Sequence, residues 1–136
     1  DLGEVVGRLN DEIAGGGAYL QGGWGYVWDG ISNQFELLPS ALAGAALARG
    51  LNNSGTLVGD CWETYPTVDN SGEMTRWDRD SQGNLVVKKG GTLIPSKPTW
   101  YLKHGFDIND HGWMAGEGRK YVKGKYTWMG VLIVPN

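Results

Sequence analysis

Several protein classes are excluded by what this sequence has little of. It holds one cysteine, Cys61. No disulfide can form within the chain and no cysteine pair can grip a metal, so a buried thiol is the expected state. No apolar run approaches the roughly 20 residues that a membrane-spanning helix needs. Basic residues are scattered, the net charge is −3, and the only concentrations are Lys88-Lys89 and Lys120, Lys123, Lys125. Neither makes the basic stripe that phosphate backbones require, so nucleic acid is not an expected partner. The serines Ser40, Ser54, Ser71, Ser81 and Ser96 lie in turn-like contexts without a G-x-S-x-G elbow.

What is abundant points to β-structure. The 136 residues suffice for one domain. They include 23 glycines, seven tryptophans and six tyrosines, with a 40% hydrophobic share that argues against disorder. Glycine at this density has no Gly-X-Y period, so collagen is excluded. With aromatics, it suits short strands joined by tight turns.

One set of landmarks recurs in order. An aliphatic-Asn step appears as Leu9-Asn10-Asp11, Leu51-Asn52-Asn53 and Ile108-Asn109-Asp110. A short apolar step with glycine follows: Ile13-Ala14-Gly15, Leu57-Val58-Gly59, Met114-Ala115-Gly116. Next come strands holding Trp28, Trp77 and Trp128, then Leu37-Leu38-Pro39, Leu93-Ile94-Pro95 and Ile133-Val134-Pro135. The expectation is an all-β chain of three divergent repeats, approximately 8–39, 50–95 and 107–135, each of three or four short antiparallel strands. Asn10, Asn52 and Asn109 would make the turns, and Trp28, Trp77 and Trp128 would form the repeat core. The second copy carries extra residues from Cys61 to Met74 and between Trp77 and Pro95. The stretch Ala41-Leu42-Ala43-Gly44-Ala45-Ala46-Leu47-Ala48 departs from the pattern. Its composition fits one short helix near 40–48, or a small-residue strand packed close to a neighbour.

These landmarks resemble the HAF repeat of secreted and surface proteins of bacteria. The run Ala48-Arg49-Gly50-Leu51-Asn52-Asn53-Ser54-Gly55-Thr56-Leu57-Val58-Gly59 is similar to its Ala-x-Gly-Ile-Asn-Asp-x-Gly-x-x-Val-Gly core. His104 to Gly116 follows it less closely, and Gly90-Gly91-Thr92-Leu93 resembles its close. The resemblance implies propeller-like blades and an extracellular or cell-surface setting, and brings no catalytic residues. Three copies are too few for an ordinary propeller of about four to eight blades. A small prism or barrel, or completion by another chain, is the alternative. The opening Asp1-Leu2-Gly3 reads as the end of a preceding copy, so a longer parent chain is expected.

Site chemistry is sparse. Asp107 and Asn109 occupy the first and third positions of a calcium-loop-like start. His111 stands at the fifth position and Gly118 at the twelfth, so a repeated turn is the simpler reading and no metal or other cofactor is expected. Trp24, Trp62, Tyr65, Trp100, Tyr101 and Trp113 lie outside the repeat core, several beside Gly or Pro, as does Tyr121. Exposed Trp and Tyr serve protein interfaces and sugar-stacking platforms. The expected function is a non-catalytic structural or protein-interaction module that self-associates or joins a larger assembly through strand edges and aromatic loops. A carbohydrate-binding module is the alternative, with glycan as the ligand. A hydrolase using two carboxylates is the further alternative.

Overall fold

The computed structural model describes residues 4–9, 24–42, 44–62, 72–94 and 99–135. The described residues are all-β apart from one helical turn. Its elements are β1 (Glu4–Leu9), β2 (Trp24–Asp29), β3 (Gln34–Leu37), β4 (Ala46–Leu51), β5 (Leu57–Cys61), β6 (Glu73–Arg79), β7 (Leu85–Lys89), α1 (Gly90–Leu93), β8 (Trp100–Ile108), β9 (Met114–Val122) and β10 (Lys125–Ile133). They form antiparallel meanders: β1–β2–β3, β4–β5–β6–β7 and β8–β9–β10. A single parallel pairing of Trp24 with Ala46 joins the first two into one sheet.

Strand β5 is the centre of the molecule and is buried along its whole length. Period-two alternation sends Leu57 and Cys61 to one face and Val58 and Asp60 to the other. On the first face they meet Val27, Leu38, Ala46, Ala48 and Trp77. The Leu38–Ala45 connection packs here: Pro39 O accepts a bond from Trp77 Nε1 at 2.7 Å, and Ala41 N donates to Cys61 Sγ at 3.3 Å. Cys61 is thus a buried thiol. On the second face Val58 and Met74 pack against Leu102, Ile108, Met114 and Ile133 of the β8–β9–β10 sheet.

Two hairpins match position by position. Leu51 pairs with Leu57 and Ile108 with Met114 across turns of equal length. In each, the incoming strand bulges at the same place, at Arg49 and at Phe106. Each turn is closed alike: Gly55 N donates to Asn52 O, and Gly112 N to Asn109 O, with both glycines at φ 76°. Asn52 Oδ1 accepts from the amides of Ser54 and Thr56, and Asn109 Oδ1 from those of His111 and Trp113. This is a type I turn ended by a left-handed residue, the geometry that glycine satisfies without strain. The β6–β7 turn repeats it: Asp80 Oδ1 accepts from Gln82 N and Asn84 N, and Gly83 stands at φ 88°.

The two matching hairpins also dock on each other. Asn52 Nδ2 donates to Asn109 O at 3.0 Å, and Asn53 gives its backbone and side-chain N–H groups to Asp110 at 2.8 Å. A side chain on Gly50 would stand 2.7 Å from Asp107 Cα, and one on Gly105 2.5 Å from Val58 Cγ2.

The structure departs from several of the expectations drawn from the sequence. Ala46–Leu51 is strand, not helix: Ala46 and Ala48 are buried, and β5 lies so near that a Cβ on Gly59 would stand 1.9 Å from Leu47 O. Small side chains serve close sheet packing rather than helix propensity. Among the described residues the one helical turn is Gly90–Leu93. The tryptophans do not occupy one repeated place. Trp77 is fully buried, Trp28 partly exposed, and Trp128 is 52% exposed. Register explains this: Leu57 pairs with Trp77, whereas its counterpart Met114 pairs with Ile133. Ile133, not Trp128, takes the place of Trp77. Trp28 sits on β2, the middle strand of its meander, which does not correspond to the strands of Trp77 and Trp128. Asn10 lies outside the described residues. Among the described residues no helix is long and apolar enough to cross a membrane.

Candidate protein-binding surface

The outer face of the β8–β9–β10 sheet carries an aromatic cluster around one cation. Tyr101 pairs with Arg119, Arg119 with Trp128, and Tyr121 with Tyr126, so all five side chains share a face. The Arg119 guanidinium lies 4.2 Å from the centre of the Tyr126 ring and 5.6 Å from that of Tyr101. Tyr126 meets Tyr121 at 4.9 Å and Tyr101 edge-on at 5.7 Å between ring centres. A hydrogen bond with Tyr101, followed by the burial that this packing brings, raises the Tyr126 phenol above its ordinary value. Tyr101, Tyr121, Tyr126, Trp128 and Leu132 are all exposed.

Strand β10 also forms the edge of that sheet, and among the described residues no strand pairs with its outer side. It runs nine residues in unbroken register with β9. It starts from a two-residue turn in which Lys123 and Gly124 both take positive φ. Met129 adds exposed apolar surface on the opposite face.

The loop aromatics anticipated from sequence are not gathered into one site. Tyr101 joins the cluster. Trp100, half-buried, points to the other face, with Lys120 Nζ 5.5 Å from its ring centre. Trp113 is exposed but stands in the β8–β9 turn, its ring 6.3 Å from that of His111. Trp62 is half-buried: its amide donates to Ala45 O, and a Cβ on Gly72 would meet its indole at 2.8 Å. The Trp24 backbone is paired in β2, while its side chain, like Tyr65, lies outside the described residues. Tyr126, Trp128, Met129 and Leu132 were missed as surface groups. The signal was present, since Tyr126, Trp128 and Leu132 alternate with other residues along one strand face.

Other groups resolve into structural roles. Asp60, fully buried, takes Arg49 Nε at 2.9 Å on one oxygen and Gly105 N at 3.0 Å on the other. His104 Nδ1 stands 3.3 Å from Asp60 without a hydrogen bond, and its Nε2 is 3.9 Å from Glu117. Lys103, buried at the first bulge of β8, donates to Gly72 O at 2.9 Å. Burial, then the nearby Arg119 charge, holds its ammonium below the ordinary lysine value. Asp107 is exposed and Asn109 spends its side-chain oxygen on the turn amides. Among the described residues no group of three or more His, Cys, Asp or Glu side chains is placed to hold a metal.

Comparison with known proteins finds no matching family model, no matching curated protein and no matching solved structure.

Proposed function

We propose that the chain is a non-catalytic structural module that assembles with other protein through the β10 edge and the adjoining aromatic face. One observation carries the reading: Trp128 lies half-exposed on a nine-residue apolar strand whose outer hydrogen-bonding edge has no described partner. Such an edge is a template for strand addition. Aromatic and arginine side chains beside it are the types that dominate protein interfaces. An extracellular or cell-surface setting, and three blade-like HAF-type units, belong to the same reading. The Ala48–Gly59 motif and its matching hairpin support them.

Glycan binding is the second reading, favoured by Tyr101, Tyr121, Tyr126 and Trp128 around Arg119. The hydrolase alternative would turn on two of the carboxylates Asp11, Glu12, Glu63, Asp69, Glu73, Asp78 and Asp80. The pairing of Asp78 with Arg76 and Lys88, and the bonds of Asp80 to the amides of its own turn, support structural roles instead.

Light-scattering mass across concentration, with tryptophan fluorescence against a glycan panel, separates these readings. Assembly predicts a mass above that of one chain, returned to one chain by Trp128→Lys, with fluorescence indifferent to glycans. A single-chain mass at all concentrations with glycan-dependent fluorescence would replace assembly with sugar binding.

A further inference from the structure

We infer that the occupant of the β10 edge is a second copy of this chain, paired antiparallel about a two-fold axis through Met129. The inference rests on the assembly reading and names its partner and register.

The other described edges are guarded against strand addition. Strand β1 carries Glu4 and Arg8, β7 carries Lys88 and Lys89, β3 has only four residues, and β8 is broken by two bulges. Strand β10 carries a single lysine, Lys125, at its first position, and has no bulge. Its interior from Tyr126 to Ile133 holds no charge and no proline, and its register is unbroken. Such a strand accepts a long, straight partner.

Its sequence is complementary to itself reversed. With Met129 opposite Met129, Lys125 faces Ile133, Tyr126 faces Leu132, Thr127 faces Val131, and Trp128 faces Gly130. Each Trp128 indole thus covers the partner's bare glycine, where an added Cβ would meet nothing within 4 Å. Tyr126 and Leu132 make an aromatic–aliphatic cross-strand pair. The nine-residue overlap is complete only in this register.

Charge sets the direction. Lys123 and Lys125 lie at the β9–β10 turn, while Asp110 lies at the β8–β9 turn, the end of the sheet where Ile133 pairs with Met114. Antiparallel docking brings the basic end of one copy to the acidic end of the other. Parallel docking would set lysine beside lysine. A two-fold contact of this kind closes on itself and stops at a dimer.

Cysteine crosslinking reads the register, since Met129, Tyr126 and Leu132 are all exposed and the native Cys61 is buried. Under mild oxidation, Met129→Cys should convert most of the chain to a disulfide dimer. Tyr126→Cys mixed with Leu132→Cys should give the mixed dimer, and each alone should give little. Spin labels on Lys125 of wild-type-like protein should lie about 27 Å apart in backbone terms, eight residues at ~3.4 Å each. A mass of two chains with strong crosslinking by Tyr126→Cys alone, or with Lys125 labels in contact, overturns this register and leaves the assembly reading standing. A mass of one chain at all concentrations overturns both.

Discussion

Glycine and asparagine carry the most specific demands at the scale of single residues. Gly59 and Gly116 hold equivalent places in the two matching hairpins, and a Cβ on them would stand 1.9 Å from Leu47 O and 2.2 Å from His104 O. Backbone cannot yield as a flexible side chain can. Gly59→Ala and Gly116→Ala should each cost about 1–3 kcal/mol or more in thermal unfolding. Gly130→Ala, with open space around its Cβ in the single chain, should be neutral or slightly stabilising when the isolated chain unfolds. Equal losses at all three positions would contradict the packing described. Asn52 is the other demanding residue. Asn52→Ala strands the buried Thr56 amide and removes the bond that docks the second hairpin on the Asn109 carbonyl, and a loss of about 1–3 kcal/mol is expected. Asn109→Ala, in an exposed turn, should cost less. The aliphatic-Asn-x-x-Gly signature made these turns legible in sequence. The third turn, Asp80 to Asn84, has the same spacing, but Asp in place of Asn and no aliphatic residue before it hid the match.

At the scale of elements, register decided what composition could not. The strands, the turns at Asn52 and Asn109, and the inward ends Leu38 and Ile133 could be read from pattern. The place of each tryptophan could not, because counting from a turn does not reveal which later residue pairs back across the sheet. Trp128 lies on the strand equivalent to that of Trp77, five residues short of the buried position that Ile133 fills. The Ala-rich segment failed as a helix for a related reason. Its small side chains answer a tertiary demand, the approach of β4 to Gly59, which propensity does not contain. Denaturant unfolding separates the two tryptophans. Trp77→Ala should cost about 3–5 kcal/mol, since it opens a cavity in a closed core and frees the Pro39 carbonyl. Trp128→Ala should stay within about 0.5 kcal/mol for the isolated chain. Equal costs would restore the repeated-tryptophan core that the register contradicts.

At the scale of the whole molecule, several turns and sheet contacts lean on carboxylates held below their ordinary range. Backbone and side-chain N–H groups of Asn84 lower Asp80, and those of Asn53 lower Asp110. Burial opposes the ionised form of Asp78, but the hydrogen bonds and charges of Lys88 and Arg76 outweigh it. A carboxylate depressed in the fold contributes stability that is complete above its unfolded value, roughly 3.9, and is lost as pH falls through the folded value. Thermal stability should therefore hold from neutral pH to about 5 and fall below about 4. Asp110→Asn should soften that fall, and a melting temperature unchanged down to pH 2 would contradict it.

Strand β10 is the surface through which we propose that the chain assembles, and amide hydrogen exchange along Lys125–Ile133 tests that assembly most directly. Alternate amides of this strand already bond to β9, and those between them point outward. The outward set should become markedly slower to exchange as protein concentration rises, and fast again in Trp128→Lys. Outward amides that exchange at one fast rate at every concentration would contradict it.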